Sequence, residues 1–153
     1  RIDVVKGNAS EVARIAGENV RTKGVDASRV EADLKKLAQR LARDRRCTVV
    51  ITGKEDIVTD GKKIFLVRNG DPLMGAIVGT GCMATSAIAT FCAVEKDFCQ
   101  ASCAGLVVFE VAAECAARKA KGPGTFKELL CDCLYALDTK TLESQQNVYR
   151  APQ

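Results

Sequence analysis

Residues 47–53 read Cys47-Thr48-Val49-Val50-Ile51-Thr52-Gly53. A continuous run rich in β-branched residues and closed by glycine is the signature of a strand buried on both faces. Such a strand needs a helix above it and another below. Upstream, Ser28 is placed to cap a helix to about Arg43, with Val30, Leu34, Leu37, Ala38 and Leu41 in one apolar stripe. Downstream, Asp56-Ile57-Val58-Thr59 and Ile64-Phe65-Leu66-Val67 flank a turn at Asp60-Gly61 and read as a β-hairpin.

Farther from this centre, Ile2-Asp3-Val4-Val5 reads as a short buried strand closed by Lys6-Gly7-Asn8. Helical spacing follows over residues 9–16, with Ala9, Val12, Ala13 and Ala16 on one face, and then a loop containing Gly24-Val25-Asp26. Beyond the hairpin, Asn69-Gly70-Asp71-Pro72 is a second turn. Residues 80–94 are apolar almost all round, which predicts a central helix, and residues 101–119 predict another. Lys121-Gly122-Pro123-Gly124 stops that helix, Thr125 is expected to cap a last one to about Leu137, and residues 144–153 read as a polar tail. The pattern is α/β, with an incomplete central sheet flanked by helices. The chain opens at Arg1 directly on an apolar segment, so a preceding segment is expected.

Composition narrows the class. The 153 residues are 47% hydrophobic and 27% charged, which suits one soluble globular domain. A formal charge of +4 is small, and its densest cluster, Arg40 to Arg46, sits at a predicted helix end where the macrodipole favours cations. With few aromatics for base stacking, no nucleic-acid partner is expected. There are eight cysteines and no histidine. Neither Cys99 with Cys103 nor Cys131-Asp132-Cys133 has the spacing of a structural zinc site, so the cysteines read as small buried hydrophobes in a reducing cytoplasm. No apolar stretch reads as long enough to span a membrane and no signal peptide is visible, so no membrane partner is expected.

The chemistry concentrates at glycines and strand ends. Val78-Gly79-Thr80-Gly81-Cys82 immediately precedes the most apolar helix. A helix N-terminus carries unpaired N–H groups and partial positive charge, and glycines let the backbone approach an anion. A tight loop packed for steric reasons is the alternative. Gly79-x-Gly81-x-x-Ala84 also fits a dinucleotide fingerprint, but the next apolar segment reads as a helix, and Glu95 and Asp97 fall in a loop, where that fingerprint requires a strand ending in an acid. Asn8-Ala9-Ser10-Glu11 has capping-box spacing. The cap is the stronger local reading; the functional one is that Glu11 helps to hold hydrated Mg²⁺, which keeps several waters and takes few carboxylates. Thr52-Gly53 ends the central strand, where open α/β sheets bind their ligands.

In this order and spacing, the segments Lys6-Gly7-Asn8-Ala9-Ser10-Glu11, Gly24-Val25-Asp26, Val50-Ile51-Thr52-Gly53, Asp56 with Asp60-Gly61, Asn69-Gly70, Pro72-Leu73-Met74, Gly79-Thr80-Gly81-Cys82 and Lys121-Gly122-Pro123-Gly124-Thr125-Phe126 resemble the hydroxyethylthiazole kinases of the ribokinase-like superfamily. The resemblance implies a three-layer ribokinase-like fold, of which residues 1–153 are the C-terminal part. It implies ATP- and Mg²⁺-dependent phosphorylation of the hydroxyl of 4-methyl-5-(2-hydroxyethyl)thiazole in thiamine biosynthesis or salvage. By the same resemblance Lys6, Asn8 and Thr52 serve the nucleotide, Glu11 the metal, Gly79 the thiazole, and Thr80, Gly81 and Cys82 the transfer itself. Cys82 stands where related sugar and pyrimidine kinases carry an aspartate base; its thiol is either a base or a shaper of the pocket. Lys6 stands where the family usually has arginine, exchanging a fork for a point charge. The resemblance further implies a homotrimer and a preceding N-terminal portion, without which residues 1–153 are expected to be inactive. Another small-molecule kinase of this fold and a non-catalytic assembly fragment are the competing readings.

Overall fold

The computed structural model describes residues 2–18 and 27–151, with backbone alone over 27–32. Gly24-Val25-Asp26 and the side chains of Ser28 and Val30 lie outside the described residues. At the centre is β2 (Thr48–Thr52), buried from Thr48 to Ile51. It pairs in parallel with β1 (Val4–Asn8), in the register Val4 to Thr48 through Asn8 to Thr52. On its other side it pairs antiparallel with β3 (Asp56–Thr59), which forms the expected hairpin with β4 (Ile64–Val67).

Alternation along these strands makes two cores. Val50, Val58 and Val67 face one way, into a cluster with Ile88, Leu106, Phe109, Phe126 and Leu130. Val49, Ile51, Ile57 and Leu66 face the other way, against Val12, Ala38, Leu41 and Ala42. The second cluster is covered by α1 (Ala9–Ile15) and α2 (Ala27–Arg45). The first is built on α3 (Thr80–Cys92), α4 (Phe98–Ala117) and α5 (Pro123–Ala136), with Leu142 of α6 (Thr139–Gln145) packed against it. The result is the expected three-layer α/β arrangement. Each fully buried apolar side chain stabilises it by about 1.5–3 kcal/mol.

Several boundaries differ from the sequence reading. β1 begins at Val4 and runs through Asn8, because pairing with β2 keeps the backbone extended across Lys6-Gly7-Asn8. Helix α4 begins at Phe98, where the Asp97 carboxylate accepts from the Gln100 N–H at 3.1 Å. Helix α5 begins at Pro123, so Thr125 lies inside it and its hydroxyl accepts from the Lys121 N–H at 2.9 Å. At 20 residues, α4 is long and apolar enough to cross a membrane, contrary to the sequence reading; two-thirds of it is buried as the core helix.

The tail expectation is corrected too. Residues 144–151 finish α6 and form β5 (Val148–Arg150), which pairs antiparallel with β4. The alternative would leave the outer edge of β4 with unpaired N–H and C=O groups. The Tyr149 hydroxyl donates to Glu55 at 3.0 Å, and the Arg68 guanidinium lies 4.7 Å from the Tyr149 ring centroid. The Asn147 N–H donates to Asn69 at 2.7 Å, so this segment holds the loop after β4.

Candidate active site

β1 and β2 run in parallel, so Lys6 to Asn8 and Thr52-Gly53 emerge at the same end of the sheet. A cleft of about 560 Å³ opens there, lined by Lys6, Thr52, Thr80, Gly81, Asp56 and Glu110 among others. Four of the expected site residues therefore share one cavity. Gly79 and Cys82 stand beside it at the start of α3, and the Cys82 thiol is exposed. Asn8 and Glu11 do not line it.

The turn into α3 is built for a bare N-terminus. Gly79 occupies the N-cap with φ +104°, a left-handed conformation that costs side-chain-bearing residues about 1–2 kcal/mol. It places no side-chain cap over the first turn of the helix. The following N–H groups are left to solvent or to an anionic ligand. Thr80, in contrast, turns its hydroxyl inward and donates to the Met74 carbonyl at 2.8 Å. That bond ties the helix start to the 3₁₀ turn over Pro72–Ala76. From the opposite wall, Lys6 Nζ donates to the Gly81 carbonyl at 3.0 Å. A cation from the sheet thus touches the helix end whose N–H groups favour negative charge.

Thr52 Oγ1 donates to the Gly7 carbonyl at 3.4 Å, bridging the two parallel strands. The next residue, Gly53, donates its N–H to Asp56 Oδ1 at 2.7 Å, closing the turn into β3. Across the cleft, the Asn69 side chain donates to Glu114 at 3.0 Å and to the Gln145 carbonyl at 2.9 Å. Burial pushes the Asp56 and Glu110 carboxyls above the ordinary carboxylate range.

The capping box expected at Asn8 is present in full. Asn8 Oδ1 accepts from the Glu11 N–H at 2.9 Å, and Glu11 Oε2 accepts from the Asn8 N–H at 2.7 Å. Only one Glu11 oxygen is used in this way, and the residue is exposed. Capping therefore leaves its second oxygen able to hold a metal-bound water. Asn8→Ala is expected to cost about 1 kcal/mol, read as an unfolding midpoint shifted by denaturant.

The sequence reading gave no role to Glu110 or to Arg68. Glu110 carried a legible signal: an acid flanked by Phe109 and Val111 in the middle of an apolar helix, where it is 5% exposed. Arg68 had none, because its position on the cleft wall depends on how the hairpin folds.

Comparison with known proteins agrees with this geometry. Residues 1–140 match the model of the hydroxyethylthiazole kinase family. A hydroxyethylthiazole kinase of Methanosarcina acetivorans is 49% identical over 146 residues, which is 95% of this chain and 56% of that protein. One from Methanosarcina mazei is 45% identical over 148 residues, covering 97% and 57%. The solved structure of a hydroxyethylthiazole kinase protein from Pyrococcus horikoshii superposes with a TM-score of 0.87 at 35% identity, covering 98% of this chain and 55% of that one. The chain thus spans about half the length of the curated relatives it matches. On the family match and these identities, it belongs to the hydroxyethylthiazole kinase family.

Proposed function

We propose that this chain carries the phosphoryl-transfer corner of an ATP-dependent kinase acting on the hydroxyl of 4-methyl-5-(2-hydroxyethyl)thiazole, in thiamine biosynthesis or salvage. The observation that carries the reading is the Lys6 Nζ to Gly81 O contact of 3.0 Å, which sets a cation against an uncapped helix start. Phosphoryl transfer passes through a loose transition state and gains mainly from positioning and charge stabilisation. Lys6 neutralises phosphate oxygens, and the N–H groups following Gly79 receive the charge on the group in transfer. Thr52 borders the nucleotide at the strand end, with Asn8 beside it. Gly79, without a side chain, leaves room for the thiazole.

Glu11 fits hydrated Mg²⁺ through the carboxylate oxygen that the capping box leaves over. When bound, magnesium neutralises charge on the phosphates. Cys82 either receives the hydroxyl proton or shapes the pocket. Cys82→Asp is expected to retain or raise turnover; a fall of about a hundredfold or more with folding intact would show that the thiol itself is needed.

In this proposal the residues form the C-terminal part of a single domain, completed by an N-terminal portion such as the relatives' additional length. Two features support it. Among the described residues β1 has a strand neighbour on one side only, and Val78, beside the helix start, is fully exposed. The assembly proposed is a homotrimer in a reducing cytoplasm, with all eight cysteines free. Purified residues 1–153 are expected to transfer no phosphate to the thiazole until that portion is supplied. Assays with hydroxyethylthiazole, hydroxymethylpyrimidine and a pentose then test substrate class. Preference for either of the others overturns the thiazole assignment.

A further inference from the structure

We propose that Asp56 and Glu110 share a single proton in the wall of the cleft, and that this pair positions the Thr52–Gly53 turn against the nucleotide; the second half rests on the kinase reading above. Asp56 opens β3 and Glu110 lies in the middle of α4, 2% and 5% exposed. Asp56 Oδ1 accepts from the Gly53 N–H at 2.7 Å. The remaining oxygens, Asp56 Oδ2 and Glu110 Oε2, are buried without a hydrogen-bond partner. Two ionised carboxylates offer only acceptors, so neither can satisfy the other, and like charges in a dry wall repel. One proton between them turns Glu110 into a donor for Asp56 and relieves the repulsion.

The surrounding charges are few. Lys6 on β1 favours the ionised forms of both acids. Glu55, next to β3, opposes ionisation of Asp56, and Glu114, one turn along α4, opposes that of Glu110. Cys103, on the same helix, senses the Glu110 charge. Lys54, Arg68 and Asp71 line the opening of the cleft, while α3 presents only Thr80, Gly81 and Ala84 to it. Burial, the largest influence on both groups, favours keeping a proton in the pair, and the Gly53 N–H on Asp56 Oδ1 favours the Asp56 anion, which leaves the proton to Glu110.

The sign follows directly. Folded Glu110 keeps its proton where unfolded Glu110 has lost it, so stability is greatest below the unfolded value and declines as pH rises towards the folded one. Glu110→Gln offers an N–H in place of the O–H and cannot ionise, so it removes this decline. Glu110→Ala leaves Asp56 Oδ2 unpaired and loosens the turn.

The test follows denaturation of the chain and its Gln variant between about pH 6 and 9, where one retained proton lowers the folding constant about tenfold per pH unit relative to the variant. Equal slopes overturn the shared proton. Mg-ATP affinity at neutral pH is expected to fall about tenfold in Glu110→Ala and to return to within about threefold of the parent in Glu110→Gln. A glutamine variant as weak as the alanine one overturns the positioning role. The Gly53 amide resonance reads the turn without nucleotide: it is expected to move in Glu110→Met, which keeps the bulk but offers Asp56 no donor, and to stay in place in Glu110→Gln, and a resonance unmoved in the methionine variant overturns the positioning role. This reading still decides the matter if the alanine variant does not fold. Absence of Mg-ATP binding in the parent chain counts against the kinase reading, while the slopes and the Gly53 resonance continue to judge the pair.

Discussion

Lys6→Met is expected to weaken Mg-ATP binding about tenfold to a hundredfold, because a hydrogen bond to a charged group contributes about 1.5–3 kcal/mol. Lys6 Nζ donates to the Gly81 carbonyl and supplies positive charge directly to the cleft wall. Methionine keeps the length and most of the apolar stem, so the loss isolates the ammonium from packing. Lys6→Arg is the informative partner, since a guanidinium can hold phosphate oxygens in a fork. Arginine should bind the nucleotide as well as the parent or more tightly. Titration calorimetry with the fold followed by circular dichroism decides between these outcomes. Undiminished binding by the methionine variant would remove Lys6 from the site.

Gly105→Val carries the largest expected loss of stability. At the crossing of α3 and α4, a Cβ on Gly105 would stand 2.8 Å from Ile88 Cα, 3.0 Å from the Ala87 carbonyl oxygen and 3.1 Å from Ile88 N. These are backbone atoms, which cannot rotate away, so one helix must shift bodily. Overpacking of this kind costs about 1–3 kcal/mol, and valine's two further methyl groups push it to the upper end or beyond. The damage should reach the site as well, because α3 carries Thr80 and Gly81 at its N-terminus. Mg-ATP affinity is expected to fall in parallel with stability, although Gly105 does not line the cleft. Chemical denaturation measures the first effect. A valine variant as stable as the parent would contradict the close helix crossing.

The sheet was legible in the sequence because its signals are local. A β-branched run and a hairpin around Asp60-Gly61 admit few arrangements, and β2, β3 and β4 lie where that pattern places them. β5 was not legible, since three residues in a polar stretch form a strand only when the free edge of β4 is there to pair with. The length of β1 escaped for a similar reason: Lys6 and Asn8 are extended through pairing with Val50 and Thr52, not through their own preference. At the site, glycines and strand ends point to Thr52, Thr80 and Gly81, and the family resemblance adds Lys6; all four line one cleft. Asn8 and Glu11 were ambiguous because one spacing serves a cap and a metal ligand, and the full capping box leaves room for both. The proposed Asp56–Glu110 pair brings a strand residue and one from a distant helix to the same cleft wall, a placement that no local pattern encodes.

The bare start of α3 and the facing strand tips form the proposed seat for nucleotide phosphates. The most direct measurement is amide and side-chain chemical-shift mapping of the chain during titration with Mg-ATP. The largest changes are expected at Gly79 to Met83, with companion changes at Lys6, Thr52 and Gly53. Saturable binding that leaves these residues unmoved, or that maps to another part of the surface, would contradict that seat.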